Sequence, residues 1–130
     1  MAVFDDRVRE LLDGKNFAVV ATLDANGAPH TSVVWIGRED DTVVFSSTVG
    51  RKKVRNLIRD GRVSLTVWDA ANPYHTVDVV GVAQIEPDPA KDLPKRLSHK
   101  YLEQDPPLEE AGVERVIVRV IPSKVTGFSV

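Results

Sequence analysis

The chain has 130 residues, 42% hydrophobic and 28% charged, with a formal net charge of −2, the balance of one water-soluble domain spanning residues 1–130. It has no cysteine, which excludes a disulfide scaffold, a thiolate zinc site, an Fe–S cluster and a cysteine nucleophile. The near-neutral charge gives no strong field for nucleic acid, no apolar run approaches the roughly 18 residues of a membrane span, and the acidic N-terminus lacks the apolar core of a signal peptide, so a cytoplasmic location is expected.

Phe4, Val8, Leu11 and Leu12 recur at helical spacing and predict a short amphipathic helix ending at Asp13-Gly14. Phe17–Leu23 is nearly all apolar and predicts a strand buried on both faces. Asn26-Gly27 is hairpin-turn chemistry and leads into a second strand, His30–Ile36. Gly37–Asp41 reads as a turn before a third strand, Thr42–Ser47. Over Arg51–Arg59 the period becomes helical, with Val54, Leu57 and Ile58 as the buried stripe and Asp60-Gly61 as the stop. Val63–Trp68 and Tyr74–Ile85 follow as strands, with Gly81 a bulge or bend. Pro87–Tyr101 reads as a helix interrupted by Pro94. Arg115–Ile121 is the last long strand, broken by Pro122, with Val125–Val130 available to pair again. Six antiparallel strands with two or three short helices favour a small closed or partly open barrel.

The chain carries no dinucleotide fingerprint, P-loop or hydrolase nucleophile elbow. Its three histidines, His30, His75 and His99, are too scattered in sequence to make a metal motif, and no residue stands out as a catalytic acid or base. If the protein is an enzyme, a cofactor carries the chemistry. The most informative segment is Ser46–Arg62, where Arg51–Arg62 holds six cations against the single anion Asp60. A strand leads through small polar residues and a glycine into a helix start, where unpaired N–H groups and partial positive charge attract anions. At about 100° per residue, Arg51 and Lys53 border the apolar stripe, whereas Lys52 and Arg59 point away into solvent. From charge alone, a solvated basic face and a phosphate site are equally good readings. Without interleaved aromatics the patch does not read as an RNA surface.

Four segments resemble a known family: ATLDANGAPHTS (Ala21–Ser32), VFSST (Val44–Thr48) with RKKVRNL (Arg51–Leu57), RDGRVSL (Arg59–Leu65) and GVAQI (Gly81–Ile85). In order and spacing they resemble the pyridoxamine 5'-phosphate oxidase-like split β-barrel flavoproteins, specifically the branch that uses the deazaflavin coenzyme F420. The resemblance implies a mainly β fold, a six-stranded antiparallel split barrel of the FMN-binding type. It also implies a homodimer with cofactor sites at the interface. In such proteins Arg51 and Lys53 match the cofactor phosphate-binding pair. Ser46 and Thr48 match positions along the phosphate and ribityl chain, and His30, Thr31, Ser32 and Val33 match the strand beside the ring. Tyr74 matches an aromatic brought by the other subunit, and Arg55 has a use toward the coenzyme's acidic tail. Trp35 and Trp68 read as core or interface packing, and His75 and His99 as surface residues. The implied activity is hydride transfer between F420 and a small unsaturated organic substrate. An FMN-dependent oxidase-like enzyme and a non-catalytic carrier of the cofactor are the alternatives.

Overall fold

The computed structural model describes residues 2–128. One antiparallel sheet of seven strands organises them, in the order β2-β1-β5-β6-β7-β4-β3. The strands are β1 (Phe17–Leu23), β2 (Pro29–Trp35), β3 (Gly37–Glu39), β4 (Thr42–Thr48), β5 (Arg62–Asp69), β6 (Asn72–Pro87) and β7 (Arg115–Phe128). Three helices, α1 (Asp6–Asp13), α2 (Lys52–Arg59) and α3 (Asp92–Leu102), are inserted between or before them. No helix among the described residues is long and apolar enough to cross a membrane.

Local chemistry explains most boundaries. Asp5 caps α1, its carboxylate accepting from Val8 N at 2.9 Å. The β1–β2 hairpin closes through Gly27, whose φ of 83° is the left-handed conformation glycine adopts without penalty. Strand alternation then sorts the faces. Ala18, Val20 and Thr22 are buried on β1, opposite Val34, Ser32 and His30 of β2. The other face of β1 is only half-buried apart from exposed Phe17, so this strand is not buried on both sides as its apolar run predicts. The main core fills the concave side of the sheet and is covered by Leu11 and Leu12 of α1 and by Val54 and Leu57 of α2. Each such side chain contributes about 1.5–3 kcal/mol of burial. A second cluster, Val44 with Leu93 and Leu97, docks α3 on the opposite face of β4, flanked by Trp35 and Tyr101. Trp35 stacks on Tyr101 with ring centroids 5.1 Å apart.

Four sequence expectations are corrected. The sheet has seven strands, not six, because Gly37–Glu39 pairs with Thr42–Val44 instead of only turning. Three residues are too few to show a period, and charge anchors this strand: Glu39 takes Arg96 of α3 and Arg119 of β7. Pro122 does not break the last strand, which runs on to Phe128; Ser129 and Val130 lie outside the described residues. Pro122 faces Gly81 where the β6–β7 register shifts, so its missing N–H falls at the irregularity. The third helix begins at Asp92, not Pro87. Pro94 sits in its first turn, where a missing N–H costs nothing. Finally, the buried side of α2 is Lys53, Val54, Asn56 and Leu57, while Ile58 is 64% exposed.

Gly81 sits at a close main-chain approach in the sheet: a Cβ there would lie 2.1 Å from Ile121 O. Gly81→Ala is expected to destabilise the protein by about 2–4 kcal/mol in chemical denaturation. Gly50→Ala, which meets nothing within 4 Å, should change little. Lys100 of α3 provides a pH test. Its ammonium donates to Leu12 O and Ile36 O at 2.8 and 2.7 Å, and burial pushes its pKa down to about 8 against the pull of Asp13. Between about pH 8 and 10.5 the unfolded chain holds a proton that the folded chain has lost, so this group makes stability rise with pH there. Urea titrations at pH 8 and 10 should show that rise in the native protein and a smaller one in Lys100→Met.

Candidate functional site

A cavity of about 370 Å³ opens between edge strand β2, the end of β4 and the start of α2. Ser46 and Thr48 line it from β4, Arg51 and Lys53 from the helix start, and Val33 from β2. Five of the residues singled out in the sequence thus converge on one pocket. Alternation places Ser46 and Thr48 on the face of β4 away from the main core, where the Ser46 hydroxyl accepts from Arg115 Nη1 at 3.4 Å.

The electrostatics centre on Lys53. It is 6% exposed, and among the described residues its ammonium makes no hydrogen bond or ion pair. Burial, with the charge of Arg51 second, pulls its pKa below the ordinary lysine range. Arg51 stands at the N-cap of α2 without a side-chain cap, and no acid lies in the first turn. Free N–H groups, the helix dipole, one buried cation and one exposed cation therefore act together with no internal anion to balance them. A partly desolvated charge without a partner costs stability. That cost is removed when an anion occupies the pocket. On β2, His30 Nδ1 and Ser32 Oγ are buried without a partner, further polar capacity unfilled within this chain. The basic helix start with Ser46 and Thr48 fits the phosphate of a flavin-type group, whereas His30 and Ser32 do not line this cavity.

The remaining sequence candidates lie elsewhere. His30 and Ser32 share the inward face of β2, opposite Thr22 and Val20, while Thr31 is exposed on the outward face. Arg55 lines a separate groove of about 460 Å³ with Lys52, Asp24 and Asn26. Lys52 and Arg59 are exposed but not free in solvent as the helical angles predict. Lys52 pairs with Asp24 at 3.2 Å, and Arg59 donates to Leu23 O. Hydrogen bonding from Asn56, with Lys52 after it, holds the Asp24 carboxyl below its usual range. Tyr74 is 66% exposed at the start of β6, away from this pocket.

Sequence reading missed other lining groups. Trp35, Pro94 and Leu97 line the cavity, as do Pro106, Pro107 and Arg115. Trp35 does pack, as expected, against the α3 cluster and Tyr101, and it lines the cavity as well. Arg115 opens an apolar strand as its one leading cation. The prolines gave no signal, because only the docking of α3 brings their loop to β4. His99 is not a bare surface group either, since its Nε2 sits 2.6 Å from Asp105.

Similar architecture occurs in solved structures. An F420 reductase is 28% identical with a TM-score of 0.81, over 91% of this chain and 94% of that one. A conserved hypothetical protein from Mycobacterium tuberculosis matches at 21% identity and a TM-score of 0.79, over 98% of this chain and 86% of the other. General stress protein 26 from Bacillus anthracis strain Sterne matches at 19% and 0.72, over 95% and 92%; these last two likenesses concern the fold alone. The family model described as pyridoxamine 5'-phosphate oxidase matches residues 4–128. With that match over nearly the whole chain, and a split-barrel sheet carrying a basic helix start, the chain belongs to the pyridoxamine 5'-phosphate oxidase-like family.

Proposed function

We propose that this protein binds coenzyme F420 through its phosphate at Arg51 and Lys53 and catalyses hydride transfer to a small unsaturated organic substrate. The observation that carries the reading is Lys53, a residue only 6% exposed whose ammonium has no internal counter-ion and lines the cavity. Ser46 and Thr48 would hold the ribityl phosphate, and the β2 backbone around Ser32 and Val33 would lie along the ring, with Thr31 and His30 beside it. Bound, the coenzyme supplies two-electron hydride chemistry; the protein contributes binding, orientation and a fixed field.

F420 is preferred over FMN for two reasons. A relative of this chain at 28% identity is an F420 reductase, and Arg55, one turn beyond the pocket, is a cation free for an acidic tail. The family match equally accommodates FMN, so both cofactors belong in the test. The protein is proposed to act as a symmetric dimer. Val33, Val80 and Val82 are exposed apolar side chains on β2 and β6, and a second copy would cover such a face and bring its Tyr74 toward the site.

Three outcomes are expected. In equilibrium titration Lys53→Ala weakens cofactor binding by about 1.5–3 kcal/mol. Lys52→Ala, whose charge is already paired with Asp24, costs less than about 1 kcal/mol. Equal losses would contradict the phosphate assignment. Lys53→Met should also raise the denaturation midpoint of the ligand-free protein while weakening binding, because an unpaired buried charge is removed. In competition titrations F420 should bind more tightly than FMN, with the tail's share falling as salt rises. Turnover with a panel of electron-poor alkenes, and a dimer in sedimentation, complete the test; binding without turnover would make the protein a carrier.

A further inference from the structure

The segment joining α3 to β7, residues 103–114, walls the pocket through Pro106 and Pro107. A charge pair holds it there. Arg115 Nε lies 3.0 and 3.2 Å from the two Glu109 carboxylate oxygens, and Nη2 donates to Oε2 at 3.0 Å. Lys91 Nζ stands 3.5 Å from the same carboxylate. Both side chains of the pair are 25% exposed, so solvent screens the pair only in part. Hydrogen bonding from Arg115, with the charge of Lys91 adding to it, keeps Glu109 ionised well below the usual range.

The other edge of the guanidinium faces the cavity. Arg115 Nη1 lies 3.4 Å from Ser46 Oγ, and Ser46 is a pocket residue. One cation thus touches the site and is neutralised from behind by the loop. Arg51 and Lys53 have no such partner.

We propose that the Glu109–Arg115 pair sets the charge of phosphate the pocket accepts. With Glu109 in place, Arg115 is neutralised, and the pair reduces the advantage that Arg51 and Lys53 give a phosphate monoester dianion over a phosphodiester monoanion. The reason is the linear dependence of Coulomb energy on ligand charge. The Glu109 carboxylate repels a dianion twice as strongly as a monoanion at the same position, and a released Arg115 attracts it twice as strongly. A monoester carries about −1.5 to −2 at pH 7, whereas a diester carries one charge. This inference rests on the phosphate reading of Lys53 and Arg51 and makes Glu109 a positioning residue acting through Arg115.

The test compares FMN, a monoester, with its monomethyl phosphodiester, which keeps the flavin and changes only the charge. Flavin fluorescence titrations at pH 7.5 would use the full-length wild type, Glu109→Gln, Glu109→Asp and the double variant Glu109→Gln/Arg115→Gln. Glu109→Gln is expected to tighten FMN by about tenfold and the methyl diester by about threefold or less. Glu109→Asp should retain the wild-type ratio, and the double variant should lose the gain. Equal factors for both ligands, or a gain that persists without Arg115, overturn the proposal. Lys53→Ala separates the two levels. If it weakens both flavins while Glu109→Gln leaves their ratio unchanged, only this inference fails. If it affects neither, or if neither flavin binds saturably to any variant, the phosphate reading fails and this inference with it.

Discussion

The long pairing of β6 with β7 is the constraint on which the rest of the structure hangs. It runs from Thr76 opposite Phe128 to Pro87 opposite Val116. On one side of this ribbon lie β5, β1 and β2, and on the other β4 and β3. The ribbon cannot stay flat, because its register shifts between Val80 and Gly81 and the chains approach closely at Ile121 and Pro122. A shift of this kind bends a strand and increases its twist. The two ends of the sheet are thereby turned so that edge strand β2 and strand β4 border one cavity. Residues more than a dozen positions apart, Val33 and Ser46, meet only because of that curl.

Onto this frame the chain places an electrostatic imbalance. Most charges are answered internally: Arg119 by Glu39 and Glu86, Arg38 by Asp13, Arg62 by Asp60. Arg51 and Lys53 are not, although Lys53 is among the most buried polar residues. Leaving Lys53, a residue only 6% exposed, unpaired beside a bare helix N-terminus departs locally from the consistency found in the core. Such departures mark places where function opposes stability.

The loop 103–114 links the two themes. It is fixed to the framework by His99–Asp105 and Glu109–Arg115, and it supplies two prolines to the pocket wall. Because the Glu109–Arg115 tie is ionic and Arg115 lines the cavity, the wall's position and the pocket's charge are coupled. The apolar docking of α3 by Val44, Leu93 and Leu97 holds the base of the same wall independently of charge.

The sequence alone determined the strands whose apolar alternation is long, the Asn26-Gly27 hairpin and the basic helix start. Each depends on interactions between residues close in the chain. Helical angles singled out Arg51 and Lys53 and the family resemblance added Ser46 and Thr48; the structure brings all four to one cavity because a strand end and a helix N-terminus are adjacent in sequence. Tertiary structure decided the remainder. Strand β3 exists because Arg96 and Arg119 hold Glu39, contacts 57 residues away for Arg96 and invisible to periodicity. The buried side of α2 includes Lys53 and Asn56 rather than Ile58, since Asn56 reaches Thr22 and Asp24 across the hairpin. Pro122 remains in a strand because Gly81 opposite it has no side chain. Arg115 and the prolines join the site because the sheet curls and α3 docks. Local pattern records which face a residue prefers, whereas the meeting of two faces is set by the packing of the whole sheet.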